Sequence, residues 1–156
     1  MILTEFPFEF FFDKESFSDM WAERLSELSG SRITDIFGAW DNLDKEWFGE
    51  APMLVQTHSG TLAVNVLSEK YLALAWNEIL PTEKPRWFGE APPVPDWRED
   101  LDWRGYSPLS RFNGAVILRI EVIEGENALN GLRFETDKGV FSIADVGDII
   151  AGIPDR

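Results

Sequence analysis

The sequence predicts an α+β domain: a twisted antiparallel sheet of about six or seven strands with one main helix, residues 15–29, packed on one face. Three observations predict it. Apolar residues alternate with period two in several short segments, the mark of half-buried strands. One segment near the start carries an apolar stripe of helical period. Turn residues of hairpin type separate the alternating segments.

The elements follow in chain order. Residues 5–12 alternate, with Phe6, Phe8, Phe10 and Phe12 on one side and Glu5, Pro7, Glu9 and Phe11 on the other. Pro7 has no N–H to donate, which assigns this strand to a sheet edge or a bulge. Ser16 and Asp19 have capping-box spacing. Phe17, Met20, Trp21, Leu25 and Leu28 then share a helical face, opposite Asp19, Glu23, Arg24 and Glu27, and Gly30 ends the helix. Residues 53–58 and 61–67 flank Ser59-Gly60 as a hairpin, and 71–77 continue the meander, with Leu72, Leu74 and Trp76 facing away from Tyr71, Ala73 and Ala75. In 115–123, Val116, Leu118, Ile120 and Val122 point inward and Arg119 and Glu121 outward. Residues 131–136 and 140–144 flank the Asp137-Lys138-Gly139 turn. The tail, 145–153, reads as a short helix or a last loop. Residues 1–156 form a single domain, interrupted by an irregular stretch at 81–108. That stretch holds six of the nine prolines together with Trp87, Trp97 and Trp103. Long irregular segments are binding loops or packed covers.

Charge sets the functional classes. The chain has 28 acidic and 14 basic residues, a net charge of -14 over 156 residues. Such charge accompanies disorder when hydrophobic residues are scarce. Here 44% of residues are hydrophobic, including 12 Phe and 7 Trp, so a core can form and the carboxylates sit on a fixed surface. That surface repels nucleic acid and attracts basic proteins. Surface carboxylates also serve solubility alone. There is no Cys, which removes disulfides and thiolate metal sites and fits a reducing compartment. No basic leader precedes the apolar start and no apolar run reaches membrane-spanning length. The expectation is a cytoplasmic protein that touches neither membrane nor nucleic acid.

Little catalytic equipment is visible. His58 is the single histidine, so a Ser-His-Asp triad would have to use it. No phosphate-cradling glycine motif occurs. The run Asp41, Asp44, Glu46, Glu50 lacks Ca²⁺-loop spacing, because Leu43 occupies a ligand position. No metal or cofactor is expected, and no enzyme. The hexapeptide WFGEAP occurs twice, at 47–52 and 87–92. Its flanks differ, which fits two similar turns or two arms of one surface better than a repeat fold.

Two acidic groups qualify for recognition. Asp96, Glu99, Asp100 and Asp102 interleave with Trp97 and Trp103, and Asp41, Asp44 and Glu46 form the second group. Carboxylates steer a basic partner and tryptophans anchor it. Exposed tryptophans would also suit a carbohydrate-type ligand module, and paired carboxylates a small hydrolase.

Residues 112–152 contain a glycine-led strand, the hairpin GLRFETDKGVFSI and the closing segment ADVGDI. This stretch resembles the closing pattern of immunity proteins from bacterial polymorphic-toxin systems. The resemblance implies a non-enzymatic bacterial protein that binds and blocks a cognate toxin. Such toxins are often nucleases with basic clefts, which an acidic protein would fill.

Overall fold

The computed structural model describes residues 8–11, 13–67, 71–83, 85, 100–126, 128–146 and 149–155. Among them, antiparallel strands dominate and one long helix is present. The strands are β1 (Glu9–Phe11), β2 (Ile33–Asp41), β3 (Glu46–Trp47), β4 (Met53–Thr57), β5 (Thr61–Leu67), β6 (Tyr71–Trp76), β7 (Leu101–Gly105), β8 (Ile117–Gly125), β9 (Ala128–Thr136), β10 (Gly139–Val146) and β11 (Ile149–Pro154); helix α1 spans Lys14–Leu28. A 3₁₀ turn at Ser107–Phe112 links β7 to β8.

The expected single sheet is two. The larger runs β1-β6-β5-β4-β2-β3, with β7 also paired to β2, and the smaller runs β11-β10-β9-β8. They stack through one apolar cluster. Val55, Leu62, Val64, Leu72 and Leu74 of the larger sheet meet Ile117, Leu132, Phe134, Phe141, Ile143 and Ile150 of the smaller. The two inner faces bury each other's apolar side chains, and Phe17, Trp21 and Leu28 of α1 join the same cluster. Phe134 and Phe141 stack at 4.7 Å, and Phe112 reaches the pair from the 3₁₀ turn. The outer face of β4–β6 is buried too. Leu54, Ala63, Ala73 and Ala75 join Phe8 and Ile79, with Phe37 and Trp103 packed on them.

Helix α1 opens at Asp13, not at Ser16. The Asp13 carboxylate accepts the Ser16 N–H at 2.7 Å and lies in hydrogen-bond range of the Ser16 hydroxyl. Ser16 thus occupies the third helical position, where its N–H needs an acceptor. Phe17, Trp21 and Leu28 are buried, while Met20 is 65% exposed. Past Ser29 the chain turns through Gly30, whose φ is +87°, and the Gly30 N–H donates to the Ile117 carbonyl.

Three strand assignments shift. At β1 residues of both sides are buried, where the alternation implied one buried face. Phe11 is buried in the main core, Phe8 lies in the second cluster and Phe10 is 40% exposed. Both faces of the larger sheet are covered, so alternation alone could not say which faces the partner sheet. β1 is the terminal strand of that sheet, as an edge assignment requires; Pro7 lies outside the described residues. In β8 the pairs Ile117↔Thr136 and Arg119↔Glu135 leave Leu118 as a bulge residue. The extra residue flips the side-chain alternation, so Ile117 and Ile120 point inward and Leu118 is 58% exposed. The tail is neither helix nor loop: β11 pairs with β10 from Phe141↔Pro154 to Val146↔Ile149.

The two tight hairpins share one device. The Thr57 hydroxyl donates to the Gly60 carbonyl and accepts the Ser59 N–H; the Thr136 hydroxyl donates to the Gly139 carbonyl and accepts the Lys138 N–H. A threonine with glycine three residues on therefore closes both turns.

On the outer face of the smaller sheet, Arg119 holds Glu135 through two hydrogen bonds, 3.0 and 2.9 Å, and reaches Glu121 at 2.7 Å. Its hydrogen bond holds the Glu135 carboxyl below the usual carboxylate range, opposed by desolvation and aided by the charges of Arg119 and Arg133. A carboxyl lowered in the folded state stabilises above its unfolded value and loses that contribution as pH falls through the folded one. Arg119→Gln should raise the Glu135 titration midpoint in a carbon-detected NMR titration; an unmoved midpoint would refute the pairing. Phe134→Ala, at the centre of the sheet-to-sheet core, should cost about 3–5 kcal/mol in urea unfolding.

Candidate functional site

The β2–β3 turn begins with a buried carboxylate. Asp41 is only 8% exposed. Its Oδ1 accepts the backbone N–H of Leu43 at 2.9 Å and of Asp44 at 3.2 Å, and its own carbonyl accepts the Lys45 N–H. Lys45 takes a positive φ of +57° to complete the reversal. Asp41 is thus turn-forming and is committed inward, while Asp44 and Glu46 are exposed beside it.

Strand β7 joins the same end. It pairs with β2 from Phe37↔Gly105 to Asp41↔Leu101. This corrects the reading of 81–108 as wholly irregular: 101–105 is a strand and 107–112 a 3₁₀ turn. Asn42 ties the junction together. Its side-chain N–H groups donate to the Asp100 carbonyl at 2.9 Å and the Asp102 carboxylate at 2.7 Å, and its side-chain oxygen accepts from Arg104 at 3.0 Å. The pairing gathers Asp41, Asp44, Glu46, Asp100 and Asp102, drawn from both acidic groups, at one end of the larger sheet. Asp96, Trp97 and Glu99 lie outside the described residues, as does the second WFGEAP copy.

Aromatic rings flank this end on the β2 face that carries Trp40. Arg104 sits 5.1 Å over the Trp40 ring. Trp40 meets Trp47 edge-on at 5.1 Å, and Trp47 meets Tyr106 at 4.8 Å. Gly38 makes room for them: a Cβ there would lie 3.0 Å from Tyr106 and 3.1 Å from Trp47. Trp40 and Trp47 remain half-buried. Trp103, on the opposite face, packs into the second apolar cluster. Half-buried, it serves that core as well as the surface. The indole N–H groups of Trp40 and Trp103 are buried without a hydrogen-bond partner.

The first WFGEAP copy is architectural at several positions. Trp47 belongs to the aromatic row, Ala51 and Pro52 are buried, and the Gly49 carbonyl accepts the Ile150 N–H of β11 at 2.7 Å. No family model, no curated protein and no solved structure matches the chain.

His58 is exposed in the β4–β5 turn, where its backbone N–H donates to the Arg32 carbonyl. Among the described residues no group of three or more His, Asp or Glu is placed to hold a metal ion. No helix among them is long and apolar enough to cross a membrane. Sequence reasoning missed Asn42, Trp40 and Tyr106. Their roles arise from contacts about sixty residues apart in the chain, and the stretch 81–108 showed no strand periodicity to announce β7. Asp41→Ala would leave two turn N–H groups without their acceptor and should cost about 1–2 kcal/mol in urea unfolding, well above the effect of Asp44→Ala.

Proposed function

We propose that the chain is an acidic binding protein that neutralises a basic partner protein, in the manner of an immunity protein blocking a cognate bacterial toxin. One observation carries this reading: β2–β7 pairing turns two acidic runs, far apart in sequence, into one carboxylate-rich end beside half-buried tryptophans. A local field of one sign speeds the encounter with an oppositely charged surface, and aromatic rings hold it once docked. Asp44, Glu46 and Asp100 are the steering groups, since they are exposed and none of them shapes the turn as Asp41 does. Trp40 and Trp47 supply the anchors within the described residues; Asp96, Trp97 and Glu99 precede Asp100 in sequence, and Trp103 packs on the opposite face. The resemblance of residues 112–152 to toxin-immunity proteins supports the choice of a toxin as the partner. The work is stoichiometric and takes place in the cytoplasm.

The test is binding of the chain to a basic toxin domain encoded next to it. The expected result is a one-to-one complex whose association rate falls steeply with salt. The triple variant Asp44→Asn, Glu46→Gln, Asp100→Asn should slow association about tenfold or more at low salt while leaving unfolding unchanged. A complex indifferent to both salt and the triple variant would overturn the proposal.

A further inference from the structure

A cleft lies away from the acidic end, between α1 and the β1–β6 edge. It is lined by Glu9, Met20, Trp21, Glu23, Arg24, Glu27 and Trp76 and encloses about 130 Å³. At about 30 Å³ per water that space holds roughly four waters, the scale of one long side chain. Met20, Glu23, Arg24 and Glu27 follow the 3-4-7 spacing of one helix stripe, so α1 presents them together. Glu9 crosses from β1 and accepts the Trp21 indole N–H. Trp76, at the end of β6, is half-buried and offers its ring.

The cleft already holds a guanidinium. Arg24 lies 4.8 Å over the Trp76 ring and bonds Glu27 at 3.1 Å. One cation thus faces three carboxylates, Glu9, Glu23 and Glu27. The surplus is negative, next to an aromatic face and the exposed apolar lip of Met20.

We propose that this cleft binds an arginine side chain presented by a basic polypeptide. Three features match that occupant. The surplus carboxylates complement its charge. The Trp76 ring and the methylenes of Met20 accept a planar, weakly hydrated cation and its apolar stem. Arg24 shows that a guanidinium fits the local geometry. The incoming group sits beside Arg24, against Glu23 and Glu9. Arg24 therefore opposes it by like charge and competes for Trp76. This goes beyond the acidic end and shares no residue with it.

The probe is the blocked tripeptide acetyl-Gly-Arg-Gly-amide, titrated into the full chain while the Trp76 indole and Met20 methyl signals are followed by NMR. A citrulline peptide of the same shape, without charge, is the control. The expected result is a saturable shift at both signals with the arginine peptide and none with citrulline. Arg24→Gln should tighten binding about threefold or more, and Glu23→Gln should weaken it by a similar factor. Both substitutions are at the helix surface and leave the core untouched. No saturable shift, a shift matched by citrulline, or affinities unmoved by Glu23→Gln would each overturn the proposal. None of these outcomes bears on the acidic end, which is read by salt-dependent capture of a whole protein.

Discussion

Strand β2 accepts partners along both edges, and the architecture turns on that. Its first half pairs with β4 through Ile33, Asp35, Ile36 and Phe37. Its second half pairs with β7 on one side and β3 on the other. The first pairing continues the large sheet across β4, β5 and β6, whose inner side chains pack on the small sheet. The second draws residues 101–105 onto residues 37–41. Without β2 the apolar stack and the carboxylate-rich end would have no common frame. Nearby, β2 also feeds the junction between sheets. Arg32 bridges to Val116, and the Ile33 N–H donates to the Ala115 carbonyl.

Much of this was legible in the residues. The helix stripe of Phe17, Trp21 and Leu28, the Ser59-Gly60 and Asp137-Lys138 hairpins and the meander through Trp76 follow from local periodicity. What escaped shares one cause: contacts between segments distant in the chain. Alternation in Phe6–Phe12 says that two faces differ, not which one meets another sheet. The bulge at Leu118 turns Val116 and Leu118 away from the core while Ile120 and Val122 stay on the expected inner side, and an extra residue is invisible to a period-two count. Residues 149–154 gave no clean alternation because Gly152 and Pro154 interrupt it, yet β10 supplies a ready template. The second sheet was hidden for the same reason, its strands being read as one continuous series.

The acidic residues divide by task. Asp13 starts a helix and Asp41 builds a turn, both accepting backbone N–H groups. Asp102 is engaged by Asn42, and Glu135 by Arg119. The formal charge of -14 therefore overstates what is free to meet a partner, since part of it satisfies groups that folding would otherwise strand. The sequence could list the carboxylates but not sort them. That sorting depends on which backbone donors the fold leaves open.

The margin of the smaller sheet has a consequence of its own. On β11 the Ile150 N–H is taken by the Gly49 carbonyl, the Gly152 N–H points at the Tyr106 hydroxyl at 3.4 Å, and Pro154 has none to give. On β8 the Ile117 N–H and carbonyl are engaged by Ser31 and Gly30. A stray strand from another molecule would find these particular groups already spent, and pairing at Ile117, Ile150 or Gly152 would have to break native bonds first. Gly49 of the hexapeptide at 47–52 thus closes one donor position on that border.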